Sequence, residues 1–132
     1  MKKGTILVLY FLIFIMLLFI IAGSVFNRGM SEIRATVVMN VDVSTLSDGI
    51  YKGDYCVGRW CYSLSVTVIG HRIQAITTNN SKMDMFKELN QKLAESIIRE
   101  QKIPVDAVSG ASITSKAFQK AVENALKSRP IS

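Results

Sequence analysis

The stretch Asp106-Ala107-Val108-Ser109-Gly110-Ala111-Ser112-Ile113-Thr114-Ser115 sets four hydroxyl side chains among small residues, immediately ahead of a helical pattern. The free amides and positive dipole end of a starting helix favour an anion. Gly110 and Ala111 leave a phosphate room to approach the backbone, and Ser109, Ser112, Thr114 and Ser115 can each donate a hydroxyl hydrogen bond to it. The same residues also suit an ordinary helix start, with Thr114 or Ser115 capping an orphan amide. Local chemistry alone favours that plainer role. The other reactive groups are Cys56 and Cys61, which enclose Val57, Gly58, Arg59 and Trp60. If they face each other across a hairpin, a disulfide clips its tip; two free thiols are the alternative, and the disulfide is preferred in an exported domain. A redox pair has the C-x-x-C spacing instead. A metal site needs more ligands than the single histidine, His71, can add, and His71 reads as an exposed turn residue.

Several elements must position these groups. Residues 6–22 form an unbroken apolar run, and no charge occurs between Lys3 and Arg28. In hydrocarbon every peptide group needs an internal partner, so the run reads as a helix. The uncharged residues 4–27 extend about 36 Å at a rise of about 1.5 Å per residue, enough for a bilayer core of about 30 Å. Lys2 and Lys3 precede the run and Arg28 follows it alone, a bias that keeps the N-terminus in the cytoplasm and the domain outside. A signal peptide cleaved near Ala22-Gly23-Ser24 is the competing reading, but the apolar stretch is longer than such peptides use. An uncleaved single-pass anchor in the cell membrane is expected, and both readings export the domain.

The chain thus divides into an anchor (residues 1–27), a juxtamembrane linker or arm (28–44) and a domain (45–132). Within the arm, residues 36–43 are rich in Val, and a first strand or an extended arm are both open. Strands are predicted over residues 50–56, 61–69 and 72–78. The second alternates Leu64, Val66 and Val68 against Ser63, Ser65 and Thr67, the pattern of an antiparallel sheet with one buried face. Apolar stripes then predict two helices, residues 83–100 on Phe86, Leu89, Leu93 and Ile97, and residues 115–127 on Ala117, Phe118, Ala121, Val122, Ala125 and Leu126. The expected fold is α+β: one N-terminal transmembrane helix, then a small antiparallel sheet packed with two helices.

Composition excludes much else. With 132 residues, one modest core is the limit once the anchor is set aside. The net charge of +6 includes Lys2 and Lys3, and the remaining excess is spread along the chain, so no nucleic-acid partner is expected.

The run from Asp106 to Ser112, followed by Ile113-Thr114-Ser115, closely resembles the flavinylation motif of the FMN-binding domain family. That family includes the flavin-bearing subunits of sodium-pumping quinone reductases and of related ferredoxin-oxidising complexes. Its pattern is an Asp, two variable residues, Ser or Thr, Gly, Ala, then the Thr or Ser that carries the flavin. The resemblance extends over residues 45–128, taking in Asp48-Gly49-Ile50-Tyr51-Lys52-Gly53, the Val66-Thr67-Val68 strand and the alanine-rich last helix. It implies that Ser112 is joined through a phosphodiester to the ribityl phosphate of FMN, here with Ser where Thr is commoner. It also implies a flavin transferase that uses FAD as donor with a divalent metal and recognises Asp106. Ser109, Gly110 and Ala111 would shape the phosphate loop, with Thr114 and Ser115 near it. Lys52, Arg59 and Arg72 are candidates to offset charge on a reduced ring, and Trp60, Tyr51 and Tyr55 to stack on it; hairpin packing and solvated charge explain them equally well.

The resulting expectation is an anchored, extracytoplasmic electron carrier with covalent FMN and membrane or extracellular redox partners. A small flavin-dependent reductase acting on a soluble substrate is the runner-up, with no acid, base or substrate motif in its favour. A non-redox anchored binding module is the third reading.

Overall fold

The computed structural model describes residues 2–79, 81–106 and 112–131. Helix α1 spans Lys3–Ala35, about 50 Å at the α-helical rise, and is long and apolar enough to cross a membrane. Its large apolar side chains lie open, Phe19 by 76%, and the rest of the chain does not cover them. The helix does not give way to a linker after Asn27. It continues unbroken to Ala35, and its last turns bury Gly29 and Ile33 against the rest of the chain. Gly29, the one residue there with weak helix preference, serves a close approach: a Cβ on it would lie 3.3 Å from Gly58 Cα and 3.4 Å from the Trp60 ring.

Residues 36–42 form no strand and run as an extended arm to a short 3₁₀ turn, Val43–Thr45. Strands β1 (Gly49–Val57), β2 (Trp60–Ile69) and β3 (Arg72–Thr78) follow and make one antiparallel sheet in the order β1-β2-β3. The β1–β2 turn is Gly58-Arg59, with Gly58 at φ 58°. Gly70 and His71 make the β2–β3 turn, both at positive φ, as the tightest hairpins require. His71 is exposed there and contacts the Leu46 carbonyl oxygen at 2.8 Å.

The alternation of β2 fixes the buried face. Trp60, Tyr62, Leu64, Val66 and Val68 point into the core, opposite Val57, Tyr55, Gly53, Tyr51 and Gly49 of β1. Helix α3 (Ser112–Lys127) lies along β1 and β2, burying Ala117, Phe118, Ala121, Val122, Ala125 and Leu126. Its alanines let it approach the sheet closely at Gly53, where a Cβ would lie 2.5 Å from the Ala121 carbonyl oxygen. Helix α2 (Lys87–Glu100), preceded by a 3₁₀ segment Ser81–Phe86, covers β3 with Leu93, Ala94 and Ile97. The fold is therefore α+β, an apolar N-terminal helix followed by a three-stranded antiparallel sheet packed against helices. On the outer face, Cys56 and Cys61 are directly paired in register and joined as a disulfide, with Cα atoms 4.0 Å apart.

Candidate functional site

Helix α3 begins at Ser112 rather than at Ser115. Thr114 and Ser115 therefore lie inside its first turn and cannot act as its cap, so the plainer reading of these hydroxyls fails. Ser112, exposed at the first helical position, stands where backbone amides have no intrahelical acceptor. Thr114 is buried and accepts a hydrogen bond from the Trp60 indole Nε1 at 3.3 Å. Ser115 is fully buried, and its Oγ has no partner among the described residues. A buried hydroxyl is normally satisfied, so an orphan beside an amide-rich helix start suits a phosphate group near it. Asp106 is exposed in irregular chain at the edge of the described residues. Ser109, Gly110 and Ala111 lie outside the described residues.

Ser112 lines a cavity of about 360 Å³ together with Thr36, Val37 and Val38 of the arm, Pro104 and Val105, and Lys116 and Gln119 of α3. That volume lies within the range of small-molecule and cofactor sites, roughly 300–1,000 Å³. Gln119 is buried and acts as a surrogate peptide: its Oε1 accepts from the Val105 amide at 2.8 Å, and its Nε2 donates to the Val105 carbonyl at 3.1 Å. This pair fixes the entering chain against α3. Lys116 donates to the Arg34 carbonyl at 2.8 Å, linking the cavity to the end of α1.

A buried carboxylate holds the arm over the helix. Glu123, 1% exposed, accepts from the Met39 amide at 3.0 Å, from Lys120 at 3.0 Å and from Lys127 at 2.6 Å. Lys120 also donates to the Val37 carbonyl at 3.2 Å. Burial by itself pushes the Glu123 carboxyl up. Hydrogen bonds from Lys127, the Met39 amide and Lys120, with the Lys120 charge, outweigh it and hold the group below the usual carboxylate range.

Of the sequence candidates, Ser112, Thr114 and Ser115 come together on the first turn of α3, with Trp60 packed beside them. Tyr51 is buried with its hydroxyl donating to the Ser47 carbonyl at 2.7 Å, which fits core packing. Tyr55 is half-buried beside Thr36. Arg72 starts β3 beside the Gly70-His71 turn, the opposite end of β2 from Trp60. Sequence reasoning missed Lys116 and Gln119. Their signal was available in the spacing: residues 112, 116 and 119 are i, i+4 and i+7 on one helical face. The roles of Glu123 and the arm had no such signal, because they depend on a contact far away in sequence. Among the described residues, no group of three His, Cys, Asp or Glu side chains could hold a metal ion.

The α+β domain thus carries clustered hydroxyls on the first turn of its last helix, beside a cavity of the size that phosphate-bearing ligands and cofactors occupy. The sequence match narrows this: residues 62–127, half of the chain, match the FMN-binding domain family. The chain belongs to that family, and its cofactor class is FMN. No curated protein and no solved structure matches the chain.

Proposed function

We propose that this chain is a membrane-anchored extracytoplasmic flavoprotein that carries FMN covalently on Ser112 and passes electrons between redox partners. The observation that carries the reading is the placement of Ser112: it is exposed, opens α3, lines the cavity and stands one turn from the orphan Ser115 hydroxyl. In the attachment step a flavin transferase, with a divalent metal, presents FAD. The Ser112 Oγ forms a bond to the FMN phosphorus, the bond from that phosphorus to the AMP oxygen breaks, and the hydroxyl proton is lost. Asp106, which is exposed, is the residue the transferase recognises. The amides opening α3 and the Ser115 hydroxyl then bind the phosphate. Val37, Val38, Pro104 and Val105 supply apolar walls for a ring, and Lys116 brings positive charge to the same cavity.

FMN, when bound, supplies one- and two-electron transfer, while the chain supplies position and electrostatics. Lys2 and Lys3 support a cytoplasmic N-terminus and a single pass of the cell membrane by α1. Covalent attachment suits that location, where a lost FMN could not be replaced from the cytoplasm. The test is intact mass and in-gel flavin fluorescence of the full chain co-expressed with a flavin transferase. Wild type gains the mass of one FMN less one water, Ser112→Thr gains the same, and Ser112→Ala gains nothing. An unshifted wild type would sink the flavoprotein reading, whereas flavin retained on Ser112→Ala would sink the site.

A further inference from the structure

A second cavity, of about 480 Å³, lies between α1 and the β1–β2 turn, and none of its lining residues lines the Ser112 cavity. Its height along α1 is set by the sequence. Arg28 is the first charge after Lys3, so a helix that spans the bilayer leaves hydrocarbon for headgroups at this level. The turn folds onto the helix at that level through the Gly29–Gly58 contact. The walls include Val25, Phe26 and Trp60, and the charged groups are Arg28, Arg59 and Glu32. The Arg59 guanidinium is held over two rings, 4.3 Å from the Phe26 centroid and 4.6 Å from that of Trp60. Among the described residues, neither arginine has a carboxylate within ion-pair distance. Two arginines and one glutamate thus line a cavity whose apolar wall, Val25 and Phe26, continues into the exposed apolar face of α1.

We infer that this cavity binds the headgroup of an anionic phospholipid, with its phosphate on Arg28 and Arg59 and an acyl chain along Val25 and Phe26. Guanidinium matches a phosphate in charge and in its fork of donors, and a basic pocket at a membrane boundary suits such a headgroup. A zwitterionic lipid would bring its own ammonium beside the arginines. A water-soluble phosphate would leave the apolar wall uncovered. The inference rests on the anchored reading proposed above and is independent of the flavin.

The experiment reconstitutes the full chain in vesicles of equal phosphatidylglycerol and phosphatidylcholine, extracts it in mild detergent and identifies retained lipid by native mass spectrometry. Phosphatidylglycerol is expected in excess by about thirtyfold, roughly fivefold for each arginine. Arg28→Gln, on an exposed helix face, loses about fivefold, and Arg28→Gln/Arg59→Gln loses the preference altogether while the emission of the only tryptophan, Trp60, stays that of a buried indole. Arg99→Gln, an exposed change on α2, leaves the preference intact. Equal retention of both lipids by wild type, an unchanged preference in Arg28→Gln, or an equal loss in Arg99→Gln overturns the inference. Release of the chain from membranes by alkaline carbonate overturns the anchored reading and this site with it; a chain that stays in the membrane without lipid preference overturns the site alone.

Discussion

Helices α2 and α3 have similar lengths and both carry an apolar stripe, yet the structure treats their polar faces in opposite ways. Besides its apolar residues α2 buries one polar side chain, Asn90, which accepts from the Tyr62 hydroxyl at 2.9 Å. Its charges stand in solvent, as in the Glu88–Lys92 pair at 3.6 Å. Helix α3 buries Thr114, Ser115, Gln119 and Glu123 as well. The cause is enclosure: α2 has the sheet on one side, whereas α3 has the sheet on one side and the arm with the end of α1 on the other. A helix enclosed on both sides has its polar groups fixed by specific partners, and among the described residues the Ser115 hydroxyl is the buried one left without a partner.

The comparison is broken most severely by forcing α3 off the sheet. Gly53→Ala places a Cβ 2.5 Å from the Ala121 carbonyl and 2.6 Å from Ala125 Cα, so backbone must move. We expect a loss of about 3 kcal/mol in denaturant unfolding of the full chain in detergent, followed by Trp60 emission.

Opening the other side of α3 should cost less. Glu123→Ala deprives the Met39 amide and two lysines of their acceptor, but Lys120 and Lys127 are 21% and 48% exposed and can turn to water. A loss of about 2 kcal/mol is expected. Because the folded carboxyl titrates below its ordinary value of 4.5, its stabilising contribution is complete above that pH. It disappears as pH falls through the lower, folded value. The gap between wild type and Glu123→Gln should therefore be full at neutral pH and close as pH falls below 4.5 and through the lower, folded value. A gap independent of pH would show that the arm is held by something else.

The smallest effect belongs to α2. Glu88→Gln removes a solvated pair and should lower the unfolding free energy by less than about 0.5 kcal/mol, an effect that added salt erases. If it matched Glu123→Ala, enclosure would not be what separates the two helices.

What could be read in the sequence follows the same division. The alternation of Leu64, Val66 and Val68, and the stripes of both helices, are local patterns; the strands stand where they were expected, whereas α2 starts only at Lys87, residues 83–86 forming a 3₁₀ segment instead. The apolar helix was legible as a run without charge, but its end was not: nothing at residues 28–35 except Gly29 disfavours a helix, and Gly29 answers to Gly58 across space. The start of α3 was set too late because Ser112 and Thr114 have modest helix preference, and their neighbours carried the signal of a loop. Glu123 and Gln119 look like solvated helix residues in sequence; only an arm more than 80 residues away, bonding Met39 to Glu123, puts one of them indoors. The hydroxyl cluster was legible chiefly through the family motif, since local chemistry alone favours a cap.

The unbroken passage of α1 into the domain has a consequence for encounter. With Gly29 and Ile33 buried and no flexible tether between span and fold, the anchored arrangement proposed above holds Ser112 at a fixed height and inclination over the lipid. A carrier on a loose leash sweeps a hemisphere and meets partners in many poses. In the proposed arrangement this chain would instead drift like a mast on a moving deck, spinning about the bilayer normal and travelling in the plane with the same flank at the same altitude. Meeting a second membrane protein becomes a search in two dimensions, and only partners whose own reactive group stands at that altitude can complete it.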